Sequence, residues 1–179
     1  MKFGGTSVGK PERMHQVAQL ITSDSEPKIV VLSALSGTTN TLVSIGDALL
    51  KGDKDAANAI IEKLDIHYQQ FINELLTDDV YRQKARDIIA EHFEFLNIIT
   101  RISFNEALNK DILAQGELMS TKLFSVSLEE KGIKHLLLPA LDFMSIDAND
   151  EPQVNAIRAK LMPILRSHED TKLFITQGY

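Results

Sequence analysis

The 179-residue chain contains no cysteine. Disulfides, thiolate metal sites and cysteine nucleophiles are therefore excluded, and a reducing compartment suits it. Long hydrophobic runs are also missing. Stretches such as Leu136–Leu138 fall far short of the roughly 20 apolar residues needed to span a bilayer, and the first residues lack the apolar core of a secretory signal. Basic charge is in deficit, with 19 Lys and Arg against 25 Asp and Glu and a net charge of −6. No basic run interleaved with aromatics offers a nucleic-acid footprint. The five histidines show no metal-ligand spacing, and Glu91-His92 is not a zinc motif. What remains is ordinary globular composition, 44% apolar and 25% charged, enough for one substantial core. A soluble, cytoplasmic protein that binds neither nucleic acid nor membrane is expected.

Strand and helix signals alternate along the first half. Met14, Val17, Ala18 and Ile21 recur at helical spacing, and Pro11 suits the first turn. Lys28–Leu32 reads as a buried strand. A helix through Leu42, Val43, Ile45, Leu49 and Leu50 ends at Gly52. Residues 55–101 then break the rhythm with a helical pair. One stripe runs through Ile60, Leu64, His67, Phe71 and Leu75, the other through Tyr81, Ala85, Ile88, His92, Leu96 and Ile99. Thr77-Asp78-Asp79 supplies the turn and cap. A helix through Leu108, Ile112 and Leu113 is expected to stop at Gly116, with another running from Glu117 to Lys131. Strands are expected at Lys134–Leu138, near Leu141–Ser145, and at Lys172–Thr176. A helix marked by Val154, Ile157, Leu161 and Leu165 separates the last two. A unit that ends directly after a buried strand and its glycine lacks the covering helix, so a larger domain is expected.

Two loops of small residues carry the chemistry. Lys2-Phe3-Gly4-Gly5-Thr6-Ser7-Val8 sets a cation beside bare backbone, and Ser33–Asn40 follows the strand. Backbone without side chains can approach a polyanion with its N–H groups turned inward. Loops between strand and helix gather at one edge of a parallel sheet, where ligands bind. Gly4, Gly9 and Lys10 also match the P-loop spacing, but Pro11 stands where that motif needs a magnesium-binding hydroxyl. No full strand precedes the loop, and no acidic residue ends the next one. The P-loop is rejected.

Lys2–Val8, Val30–Ala34 with Gly37-Thr38-Thr39-Asn40, Gly116-Glu117-Leu118-Met119-Ser120-Thr121 and Phe174–Tyr179 together resemble the aspartate kinase family, in the same order and over essentially the whole chain. The resemblance implies a three-layer α/β/α sandwich with a mainly parallel sheet and, here, an inserted helical hairpin. It implies ATP-dependent phosphorylation, with Mg2+, of the side-chain carboxylate of L-aspartate, the first step towards lysine, threonine and methionine. Lys2 corresponds to the charge-stabilising lysine, Gly4, Gly5 and Ser33 to residues around the phosphates, and Thr39 and Glu117 to the aspartate pocket. No protein metal ligands are implied. Family members continue into a glycine-rich segment that completes the site, and many carry regulatory domains. Residues 1–179 are thus expected to be the substrate-side part of the domain, inactive alone and homo-oligomeric in the full-length protein.

Each residue also has a plainer reading. Lys2 suits a solvated terminus, Ser33 and Thr39 suit turns and caps, and Glu117 suits the first turn of a helix. Two other functions remain open at this point. One is the same fold acting on glutamate, acetylglutamate, carbamate or a nucleotide monophosphate. The other is a non-catalytic small-molecule binding module.

Overall fold

Lys28–Leu32 becomes the strand that its β-branched run predicts, β2, and the sheet assembles around it. The computed structural model describes residues 1–178. Tyr179, the last residue of the terminal motif, lies outside them. Two short strands, β1 (Lys2–Phe3) and β3 (Leu136–Leu137), form the edges, and β4 (Leu173–Gln177) pairs beside β2. The order is β1-β2-β4-β3, and every pairing is parallel. Val30, Leu32 and Ile175 in the two central strands are fully buried, as parallel strands require. The expected parallel α/β architecture with an inserted hairpin is what the chain adopts.

One turn of helix, α1 (Gly5–Val8), leads into α2 (Pro11–Ile21), whose Met14, Val17, Ala18 and Ile21 are buried. After β2 comes α3 (Thr38–Leu50), and Gly52 leaves it with a φ of 76°. The hairpin is α4 (Lys54–Leu75) and α5 (Asp79–Ile99). Its buried seam on α4 runs through Ile61, Leu64, Tyr68, Phe71, Ile72 and Leu75, so Leu64, Phe71 and Leu75 are buried as expected. The stripe is corrected at two places: His67 is exposed and Tyr68 takes the inward place, and Ile61 is buried where Ile60 is only partly so.

Two further expectations are overturned. The helix does not stop at Gly116: α6 runs unbroken from Glu106 to Glu130. A Cβ at Gly116 would lie 2.9 Å from the Ala34 Cβ and 3.3 Å from the Leu42 Cδ1. The glycine serves close packing of α6 on the second loop and α3, offsetting the cost of about 1 kcal/mol for glycine inside a helix. Nor is Leu141–Ser145 a strand. Ala140–Phe143 forms a single turn, α7, started by Pro139 and held by the Gln177 Oε1, which accepts from the Ala140 N–H at 2.7 Å. Leu141 is 88% exposed, so no apolar alternation is left to favour a strand. The final helix, α8 (Val154–Ser167), is amphipathic as expected, yet none of its residues is fully buried.

The hairpin turn is fastened from outside. The Asp78 carboxylate accepts from the Val80 N–H at 2.8 Å. Glu130, at the end of α6, accepts from the backbone N–H groups of Thr77 and Asp78 at 2.7 and 2.8 Å and from the Thr77 hydroxyl at 3.1 Å. Desolvation pushes the Glu130 carboxyl up, but these three donors outweigh it and hold its pKa below the ordinary 4.5. Because the folded value is the lower one, this stabilisation is complete above the unfolded pKa and is lost as pH falls through the folded value. Glu130→Gln is expected to lower Tm at neutral pH, with the gap to the parent closing on acidification. A gap that persists in acid would contradict the assignment.

Candidate active site

Parallel pairing sends the carboxyl ends of β1, β2 and β4 to one edge. There the Ser33 N–H donates to the Phe3 carbonyl at 3.1 Å, and the Gly178 N–H donates to the Leu32 carbonyl at 2.8 Å. The two small-residue loops are pressed together. A Cβ on Gly5 would stand 2.9 Å from the Ala34 carbonyl oxygen, and one on Gly9 would stand 2.4 Å from the Ser36 Cβ and 2.7 Å from the Gly5 carbonyl oxygen. Gly4 differs, since nothing lies within 4 Å of where its Cβ would be. Its backbone faces open space at the same edge.

α6 brings the acidic group. Glu117 is half-buried, and its Oε1 accepts from the Ala34 N–H at 3.4 Å. One turn later the Ser120 hydroxyl donates to the Ser33 carbonyl at 2.7 Å. Burial pushes the Glu117 carboxyl above its ordinary pKa of 4.5. The N–H groups of Ala34 and of Glu117 itself, and the ammonium of Lys2, offset part of that rise. Lys2 is exposed at the start of β1 yet near enough for its charge to act on Glu117. A cation and a carboxylate therefore share one edge with the two small-residue loops.

Among the sequence candidates, Lys2, Gly4, Gly5, Ser33 and Glu117 are brought to this edge. Thr39 stands exposed on the first turn of α3, just after Gly37 with its φ of 86°. Its neighbour Thr38 turns inward, 1% exposed, with its hydroxyl 3.2 Å from the Tyr68 hydroxyl. Sequence reasoning missed Tyr68, which ties the inserted hairpin to the loop beside Glu117; burial, more than the charge of Glu117, pushes its phenol up. Ser120 and Gln177 were also passed over, although both lie inside quoted motifs. Gln177 donates to the Thr121 hydroxyl at 2.9 Å and so locks β4 to α6.

Among the described residues, no three His, Asp or Glu side chains converge on a metal position. No helix among them is long and apolar enough to cross a membrane.

Residues 1–178 match the model of the amino acid kinase family. The lysine-sensitive aspartokinase 3 of Escherichia coli K12 is 32% identical over 186 aligned residues, covering 99% of this chain and 39% of the relative. The chloroplastic aspartokinase 3 of Arabidopsis thaliana is 34% identical, covering 89% of this chain and 29% of the relative. The crystal structure of E. coli aspartokinase III in complex with aspartate and ADP, in its R-state, superposes with a TM-score of 0.82 at 26% identity. That superposition covers 99% of this chain and 40% of the other. The chain thus spans about two fifths of the length of these E. coli proteins.

Proposed function

The chain belongs to the amino acid kinase family, and from that premise we propose that it forms the acceptor side of an aspartate kinase. The whole protein then transfers the γ-phosphoryl group of ATP to the side-chain carboxylate of L-aspartate. The observation that carries this reading is the meeting of Lys2, Glu117 and two glycine-bearing loops at one sheet edge. Kinship with aspartokinases in sequence and structure supports aspartate as the acceptor over its siblings.

The chemistry needs little from the protein beyond charge and position. Aspartate's carboxylate, with an ordinary pKa of about 3.9, is already ionised at neutral pH, so no general base is required. Its oxygen attacks the γ-phosphorus, the bond to the β–γ bridging oxygen breaks, and ADP leaves with that electron pair. Mg2+ on the nucleotide phosphates supplies further charge neutralisation when bound. The barrier is the approach of an anion to a polyanion. Lys2 and the open backbone at Gly4 and Gly5 offset that repulsion. Ser33 borders the phosphates, its carbonyl held by Ser120. Glu117 takes the substrate ammonium, for which a half-buried carboxylate is the natural partner, and Thr39 lines the acceptor pocket.

Trapping of acyl phosphate by hydroxylamine, with the whole protein, ATP and a panel of amino acids, tests the proposal. Hydroxamate with aspartate is expected. Product with glutamate alone would shift the reading to a sibling enzyme, and none with any acceptor would overturn catalysis.

A pH profile tests Glu117 separately. Its ionised form is the one that binds the ammonium, so kcat/KM for aspartate is expected to fall on acidification with a midpoint above 4.5. Lys2→Met removes one of the groups that offset burial and is expected to move that midpoint higher. A midpoint unmoved by the substitution would separate the two residues functionally.

A further inference from the structure

We propose that a second cavity, between α5, α6 and the segment entering β3, binds a small amphipathic carboxylate through Lys122 and Lys134. The cavity has a volume of about 550 Å³, within the range of about 300–1,000 Å³ typical of ligand pockets. Ile88, Val126, Ile133 and Leu137 give it apolar walls, and Lys122 and Lys134 add two cations. A third cation, Lys84, is already paired with Glu129 on the same wall.

Lys122 lacks such a partner. The residue is half-buried, and its ammonium lies 2.8 Å from the Nε2 of His92. An ammonium has only donors, so Nε2 must present its lone pair and the imidazole is neutral. The proton then sits on Nδ1, which donates to the Gln115 Oε1 at 2.6 Å. His92 itself is 6% exposed, and burial, followed by the charge of Lys122, favours this neutral form. Among the described residues, no carboxylate lies within ion-pair distance of Lys122. A charge held partly out of water without a counter-charge is costly. An acid group reaching it, with Lys134 on the second side, removes that cost. The ligand's hydrocarbon body then covers the apolar walls, which inorganic phosphate cannot do. Ser125, on the cavity wall, lies eight positions beyond Glu117 on α6, about 12 Å along the helix axis. The pocket is separate from the kinase edge and does not depend on that assignment.

Isothermal titration of the protein with hexanoate, acetate, hexanol and inorganic phosphate tests the proposal. One-site binding of hexanoate is expected, at least ~10-fold tighter than acetate because several methylenes leave water, and likewise tighter than hexanol or phosphate. Lys122→Met is expected to weaken it at least ~5-fold through loss of a charge-assisted contact. Lys134→Ala, at an exposed position where folding is not at risk, is expected to do the same. Ile133→Trp, at a partly exposed wall position, fills the space and should abolish binding. Lys2→Met should leave it unchanged. Absence of saturable hexanoate binding, stronger binding of phosphate, unchanged affinity in both lysine variants, or loss in Lys2→Met would each overturn the assignment.

Discussion

Lys2→Met is expected to lower kcat of the whole enzyme by ~10²-fold or more, the usual effect of removing one preorganised group from a developing negative charge. The fall in kcat should far exceed any change in KM for aspartate. The reason lies in position. Lys2 lies on β1 opposite Val31 in β2, and its charge acts on Glu117, the group proposed to take the ammonium of the substrate. The proposed duty of the lysine is to stabilise the negative charge that moves onto the β–γ bridging oxygen as transfer proceeds. Methionine keeps the length of the side chain and removes the cation. Lys2 is exposed, so folding should be untouched, and an unchanged Tm serves as the control. Steady-state kinetics over a range of aspartate concentrations decide the matter. Equal losses in kcat and in aspartate affinity would assign Lys2 to binding instead of to the transition state.

Gly9→Val is expected to cost ~1–3 kcal/mol of stability, the usual penalty for overpacking. For a chain of this size that corresponds to a Tm lower by about 2–4 °C per kcal/mol. The neighbours that a side chain at position 9 would strike include the Gly5 carbonyl oxygen at 2.7 Å and the Ser36 N at 2.9 Å. Backbone atoms cannot swing aside as a flexible side chain can, so the two loops must separate. Gly4→Ala is the informative contrast. Its φ of −76° is open to any residue, and nothing lies within 4 Å of the added Cβ. Stability should barely change there, while turnover falls if nucleotide phosphates approach that bare backbone. Thermal melts of both variants separate the two roles. A Gly9→Val protein as stable as its parent would show that the loops are not pressed together in solution.

These two glycines mark how far the sequence could be read. Gly4 and Gly5 were noticed because they follow a lysine. Gly9 was noticed only as part of a P-loop spacing that Pro11 defeats. Its actual duty is contact with Ser36, 27 positions away, and no local pattern signals that. Gly116 tells the same story. Helix-ending chemistry made it a stop, but packing against Ala34 and Leu42 keeps α6 continuous. The expected strand at Leu141–Ser145 failed for a related reason, because a side chain from β4 captures the first N–H of α7.

Sequence alone determined the parallel α/β class, the hairpin with its cap at Asp78, and the motifs that carry kinship to aspartokinases. Those features rest on local rules: period, propensity, capping and residue order. Tertiary structure alone decided that Glu117 sits within reach of the charge of Lys2, and that Tyr68 rather than His67 faces Thr38. It also decided that Lys122 is left with a neutral imidazole beside an apolar cavity. Each of these depends on how separate elements come together, and on what burial then does to a charge. The identity of a residue does not carry that information.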